Sequence, residues 1–106
     1  MQVRYLPEVE IYLFELIELL FNQNYFSFPD QAVSYVFKIR QYIESSITTV
    51  YKRKAPDYFA KYGENMSYLV YKANPNTSWY IFFQQQADVF LIRYITNNHF
   101  SAHYLG

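Results

Sequence analysis

From Pro7 to about Phe21 the apolar residues Val9, Leu13, Leu16, Ile17 and Leu20 recur at intervals of three and four, the period of one helix face. Ile11, Tyr12, Phe14, Leu19 and Phe21 widen that stripe, so this helix must be covered on more than one side or meet a partner. Pro7 suits the first helical position, where its missing N–H costs nothing, and Glu8 and Glu10 fall in the favourable first turn. Before it, Val3 and Tyr5 alternate with Gln2 and Arg4 as a short opening strand. Asn22-Gln23-Asn24 breaks the pattern, and Ser27-Phe28-Pro29-Asp30 starts a second helix with Ser27 as its expected N-cap. That helix covers roughly 29–48 and buries Ala32, Val36, Ile39, Ile43 and Ile47, with Val33 and Phe37 beside that stripe. Two helices joined by a short loop form an antiparallel hairpin.

After Val50 the period changes from helical to alternating. Tyr58, Ala60 and Tyr62 predict a short strand closed by Gly63. Met66, Tyr68 and Val70 alternate with Ser67, Leu69 and Tyr71, and Asn74-Pro75-Asn76-Thr77 is a turn. Trp79 to Phe83 is aromatic and branched throughout, as in a strand buried on both faces. Gln84 to Asp88 turns the chain, and Val89 to Ile95 forms the last strand, ended by Thr96-Asn97-Asn98. The expectation is a single α+β domain over residues 1–106 in two layers. A strand and then an antiparallel helical hairpin pack on a mainly antiparallel sheet of three to five strands.

Composition supports an ordered domain. The chain has 106 residues, 52% of them apolar, with 13 Tyr and 10 Phe but only two Gly and four Pro. The absence of Cys excludes a disulfide framework, a zinc ribbon and a thiol nucleophile. Met1 to Tyr5 does not read as a signal peptide, and the apolar stretch at 11–21 contains Glu15 and Glu18 and is too short for a bilayer. A cytoplasmic location without membrane contact is expected by elimination. Nine cations balance nine carboxylates, which counts against phosphate binding by the whole surface but not by a local patch.

The order of elements, with the phrases Val3-Arg4-Tyr5-Leu6-Pro7-Glu8, Trp79-Tyr80-Ile81-Phe82-Phe83 and Phe90-Leu91-Ile92-Arg93-Tyr94-Ile95, resembles the RelE/ParE toxins of bacterial toxin–antitoxin pairs. The tail Thr96-Asn97-Asn98-His99-Phe100 stands where that superfamily tends to carry functional polar residues. The resemblance implies a type II toxin that either cuts messenger RNA on the ribosome or, like ParE, inhibits DNA gyrase without catalysis. A non-catalytic binding module of the same fold is the third option. A cognate antitoxin would hold it inactive, and helix one could be covered by the sheet, that antitoxin or a second copy of the chain.

Metal-free RNA cleavage needs a base for the 2′-OH, cations on the phosphate and an acid for the leaving oxygen. Lys52-Arg53-Lys54 is the one basic run, with two readings: a phosphate-gripping edge, or cations offsetting a helix C-terminus. Lys61 and Lys72 extend it across the sheet. Arg93 stands among apolar strand residues, so it faces solvent, a partner or a phosphate. His99 at the strand end, with Tyr104 in the tail, is the candidate pair for proton transfer, while His103 reads as frayed terminus. His99 and His103 lack a nearby carboxylate, so no metal is expected, and no cofactor motif occurs.

Overall fold

The computed structural model describes residues 1–23 and 26–100. Its elements are β1 (Gln2–Tyr5), α1 (Pro7–Asn22), α2 (Pro29–Ser46), β2 (Arg53–Lys54), a six-residue 3-10 helix (Asp57–Tyr62), β3 (Ser67–Asn74), β4 (Thr77–Gln86) and β5 (Val89–Asn97). The fold is α+β, a helical hairpin on a five-stranded sheet in the order β1-β5-β4-β3-β2. The sheet is mixed. β1 lies parallel to β5, with Val3 opposite Phe90, and every other pair is antiparallel. Among the described residues no helix is long and apolar enough to cross a membrane.

Local chemistry explains most boundaries. Pro7 and Pro29 each open a helix. The expected cap at Ser27 is replaced by a reach-back from within α2. Gln31 Oε1 accepts from the backbone N–H of Ser27 at 3.1 Å and of Phe28 at 3.2 Å, and Phe28 is the N-cap residue. Asn74 Oδ1 accepts from Asn76 N–H at 2.9 Å and closes the β3–β4 turn. The second hairpin turns later than expected. Gln84 to Gln86 continue β4, and Ala87 takes the bend at φ 53°.

The segment 57–62 corrects the expected strand. Tyr58, Ala60 and Tyr62 alternate, but Pro56 precedes a 3-10 helix in which Phe59 N–H bonds the Pro56 carbonyl. A three-residue turn puts Phe59 and Tyr62 on the same side, toward the sheet.

The sheet therefore has two covered faces of unequal size. Against the hairpin, Ile81, Ile92 and Leu69 meet Leu13, Ile39 and Ile43 in a dry core. Each such side chain contributes about 2 kcal/mol of burial. Trp79 ties the layers together, its Nε1 donating to Tyr35 Oη at 2.9 Å. On the other face the 3-10 helix seats Phe59 on Phe82 with ring centres 4.4 Å apart, among Met66 and Tyr68. The rest of that face is only half covered.

Candidate functional site

Strand alternation sends Tyr68, Val70 and Lys72 of β3, Tyr80 and Phe82 of β4, and Tyr94 and Thr96 of β5 to the face away from the hairpin. One irregularity adds to them. Phe82 pairs with Tyr94 but Phe83 pairs with Ile92, so Arg93 is an extra residue on β5. A bulge of this kind re-aims a side chain. Here it puts Arg93 on the same face as Tyr94, where strict alternation would oppose them.

Arg93 is then fixed at two points. Its Nε donates to the Tyr62 carbonyl at 2.6 Å, and its Nη1 lies 3.4 Å from Gln84 Oε1. Gln84 is itself held, its Nε2 donating to the Glu64 carbonyl at 2.7 Å. Gly63 makes the approach feasible, because a Cβ there would stand 2.5 Å from Arg93 Nε and 2.7 Å from its Cδ. The guanidinium is half-buried, and among the described residues it has no carboxylate partner: the ion pairs are Arg40–Glu10 and the Met1 amino group with Asp88.

Arg93 opens onto a cleft of about 930 Å³ between the start of α1 and the end of β5. Lys61, Tyr62 and Tyr94 line it from one side, Glu8 and Tyr12 from the other. Tyr62 and Tyr94 stack with centres 3.7 Å apart and planes 6° off parallel. Lys61 Nζ lies 4.1 Å from the Tyr58 ring centre. Burial pushes the Tyr12 and Tyr94 phenols up to about 12, with the neighbouring tyrosines adding to it, so both stay protonated donors.

The expected site residues do not converge on one point. Arg53 pairs with Tyr68 on the edge strand, in a row that continues through Phe82 to Tyr94. It shares the face of Arg93 at three strand spacings, about 14 Å. Lys72 is on that face too, opposite Ser78 at the far end. Lys54 lines a separate hollow of about 230 Å³ with Asp57 and Glu64, and Lys52 leans over the Phe90 ring at 6.0 Å. His99 is exposed at the Thr77 end of β4, its Nε2 3.1 Å from Thr77 Oγ1. Thr77 is five residues from Phe82, so His99 is about 17 Å along the strands from Arg93. Asn97 and Asn98 act structurally, Asn97 Oδ1 accepting from His99 N–H and Asn98 Oδ1 from Ser78 N–H, each at 2.9 Å. Tyr104 and His103 lie outside the described residues. No group of three or more potential metal ligands occurs among the described residues.

Several participants escaped the sequence reading, Gln84 and Tyr94 among them. Glu8 and Tyr12 read there only as parts of helix faces, and Gly63 as the end of a strand. A lone internal glycine in a chain with two was the available signal for Gly63.

The zero net charge conceals a division between layers. Residues 7–50 carry six carboxylates against two cations, whereas the strands and their connections carry seven cations against three carboxylates. The chain matches no family model, no curated protein and no solved structure.

Proposed function

We propose that this chain is a RelE/ParE-like toxin of a type II toxin–antitoxin pair that works in the cytoplasm on ribosome-bound messenger RNA. The single observation that carries the reading is the sheet face away from the hairpin. It is rich in tyrosine rings and holds Arg53, Lys72 and Arg93, while the carboxylates gather mainly on the other layer. Cations paired with ring faces are what an unpaired RNA strand requires. The order of strand, helical hairpin and antiparallel strands agrees with the resemblance in the sequence.

In this reading Arg93, Arg53, Lys54, Lys52 and Lys72 hold phosphates, and His99 with Tyr104 moves the protons of 2′-OH attack. The antitoxin lies on the outer hairpin. There Phe14 (66% exposed), Phe37 (57%), Ile11 and Val33 form an apolar surface beside Glu18, which suits an amphipathic helix with basic flanks.

A second reading has its own observation. The separation of His99 from Arg93 favours a toxin that blocks gyrase by surface contact and cuts nothing. Induced expression of the chain alone in a bacterial host, followed by growth and transcript integrity over the first minutes, decides. Arrest with transcripts cut inside translated regions, abolished by His99→Ala, supports the nuclease. Arrest with intact transcripts and lost supercoiling supports the gyrase reading, and unimpaired growth overturns both.

A further inference from the structure

We infer that the cleft beside Arg93 is a subsite for one nucleotide of single-stranded RNA, with Arg93 and Lys61 on its phosphate and Glu8 on its ribose 2′-hydroxyl. The inference rests on the RNA reading of the sheet face and names what this part of it would recognise.

Arg93 carries the argument. A half-buried guanidinium without a counter-ion calls for an anion or for water, and its planar fork matches two phosphate oxygens better than an ammonium does. Two of its five N–H groups are used by the Tyr62 carbonyl and Gln84, both of which hold the group still. The others remain for a ligand. The bulge, the absence of a Cβ at Gly63 and the Gln84–Glu64 hydrogen bond fix this geometry before any ligand arrives. Such preorganisation lowers the cost of binding. Lys61 adds a second cation on the same wall.

The remaining walls fit the rest of a nucleotide. Tyr12, Tyr62 and Tyr94 give an aromatic lining, and bases of any sequence pack on such rings. A cleft of about 930 Å³ is in the range of sites for single small ligands. Glu8 would be out of place in a site for phosphate alone, since a carboxylate repels it. It makes no ion pair among the described residues, and it accepts hydrogen bonds only. The donor that a nucleotide offers and DNA lacks is the 2′-hydroxyl. With a deoxyribose strand the exposed Glu8 gains no such bond, so RNA is preferred.

The test uses the purified full chain and calorimetric titration with the hexanucleotide A6 as RNA and as DNA, with inorganic phosphate in parallel. RNA should bind about tenfold more tightly than DNA, a difference of about 1.4 kcal/mol. Arg93→Ala should weaken RNA binding about tenfold or more, Arg93→Lys less, and Lys38→Ala on α2 should change nothing. Glu8→Gln should bring the RNA-to-DNA ratio close to one. Thermal unfolding of each variant separates lost contacts from lost folding, and Arg93→Lys retains charge if Arg93→Ala is unstable. Equal affinity for RNA and DNA in the wild type, or full RNA affinity in folded Arg93→Ala and Arg93→Lys, overturns the inference. So does tight binding of phosphate alone that RNA does not exceed. Transcript cleavage in cells that survives Arg93→Ala would leave the toxin reading intact while removing this subsite. RNA preference that depends on Glu8 in a chain harmless to its host would do the reverse.

Discussion

Ile81 and Phe82 are neighbours on β4, both fully buried, and point to opposite faces of the same sheet. Around Ile81 the cover is two long helices, and the cluster joins aliphatic side chains to Trp79, Phe83 and Phe90. Around Phe82 it is six residues of 3-10 helix, and the neighbours are Phe59, Met66 and several tyrosine rings with polar tips. A long amphipathic helix can exclude water along a whole strand. One short turn can do so only at its centre, and it leaves a rim of Tyr62, Tyr80, Tyr94 and Arg93 half exposed. The strands thus build a fully covered core on one side and a partly exposed, tyrosine-rich face on the other.

The largest expected effects come from truncating each neighbour in turn. Ile81→Ala should cost about 2–5 kcal/mol and Phe82→Ala about 3–5 kcal/mol, large shares of the total stability of a small domain. Denaturant melts measure both. The two should differ in hydrogen exchange. Phe82→Ala removes the ring on which Phe59 stacks, so amides of the 3-10 helix should exchange faster than global unfolding allows. Ile81→Ala should speed exchange only in step with global stability. Identical exchange patterns would mean that the small face is no separate unit.

A smaller effect tests the geometry of Arg93. Gly63→Ala puts a Cβ 2.5 Å from Arg93 Nε, and overpacking of this kind costs about 1–3 kcal/mol. Because the obstructing atoms are on the Arg93 side chain, the double variant Gly63→Ala/Arg93→Ala should recover most of that loss. A double-mutant cycle read by thermal unfolding should give a coupling of about 1 kcal/mol or more. Strict additivity would show that Arg93 moves aside freely and is not held.

The same contrast explains what was legible in the sequence. Helix periods and the two prolines gave the hairpin, and all five residues expected to form the α2 stripe are buried. The large face is set by repeating patterns, which sequence displays. The small face depends on single departures from pattern. The bulge at Arg93 looks like unbroken alternation, because Leu91 and Arg93 read as successive outward residues. The segment 57–62 alternates like a strand although Pro56 and a three-residue turn make it a 3-10 helix. Glu8 and Tyr12 belong to a site only because α1 passes the end of β5 that lies beyond its pairing with β1, a long-range fact that no local spacing encodes.

The smallest effect appears only in alkali and separates the phenols by environment. Burial holds Tyr5, Tyr12 and Tyr94 up to about 12, and Tyr42 is also raised by burial. A phenol with a folded pKa above its unfolded value of about 10 stabilises the fold fully below pH 10. That contribution is lost as pH rises from about 10 through about 12, since the unfolded chain ionises first. Stability should therefore be insensitive to these groups at neutral pH and fall in that window. Ultraviolet titration of phenolate should show a fraction of the tyrosines ionising late, and Tyr12→Phe should remove part of it. The same variant should also flatten the decline of the urea midpoint above pH 10. If every tyrosine ionises together near pH 10 in the folded protein, the wall of the cleft is wetter than the packing of Tyr12 against β5 implies, and the contrast between the two faces weakens.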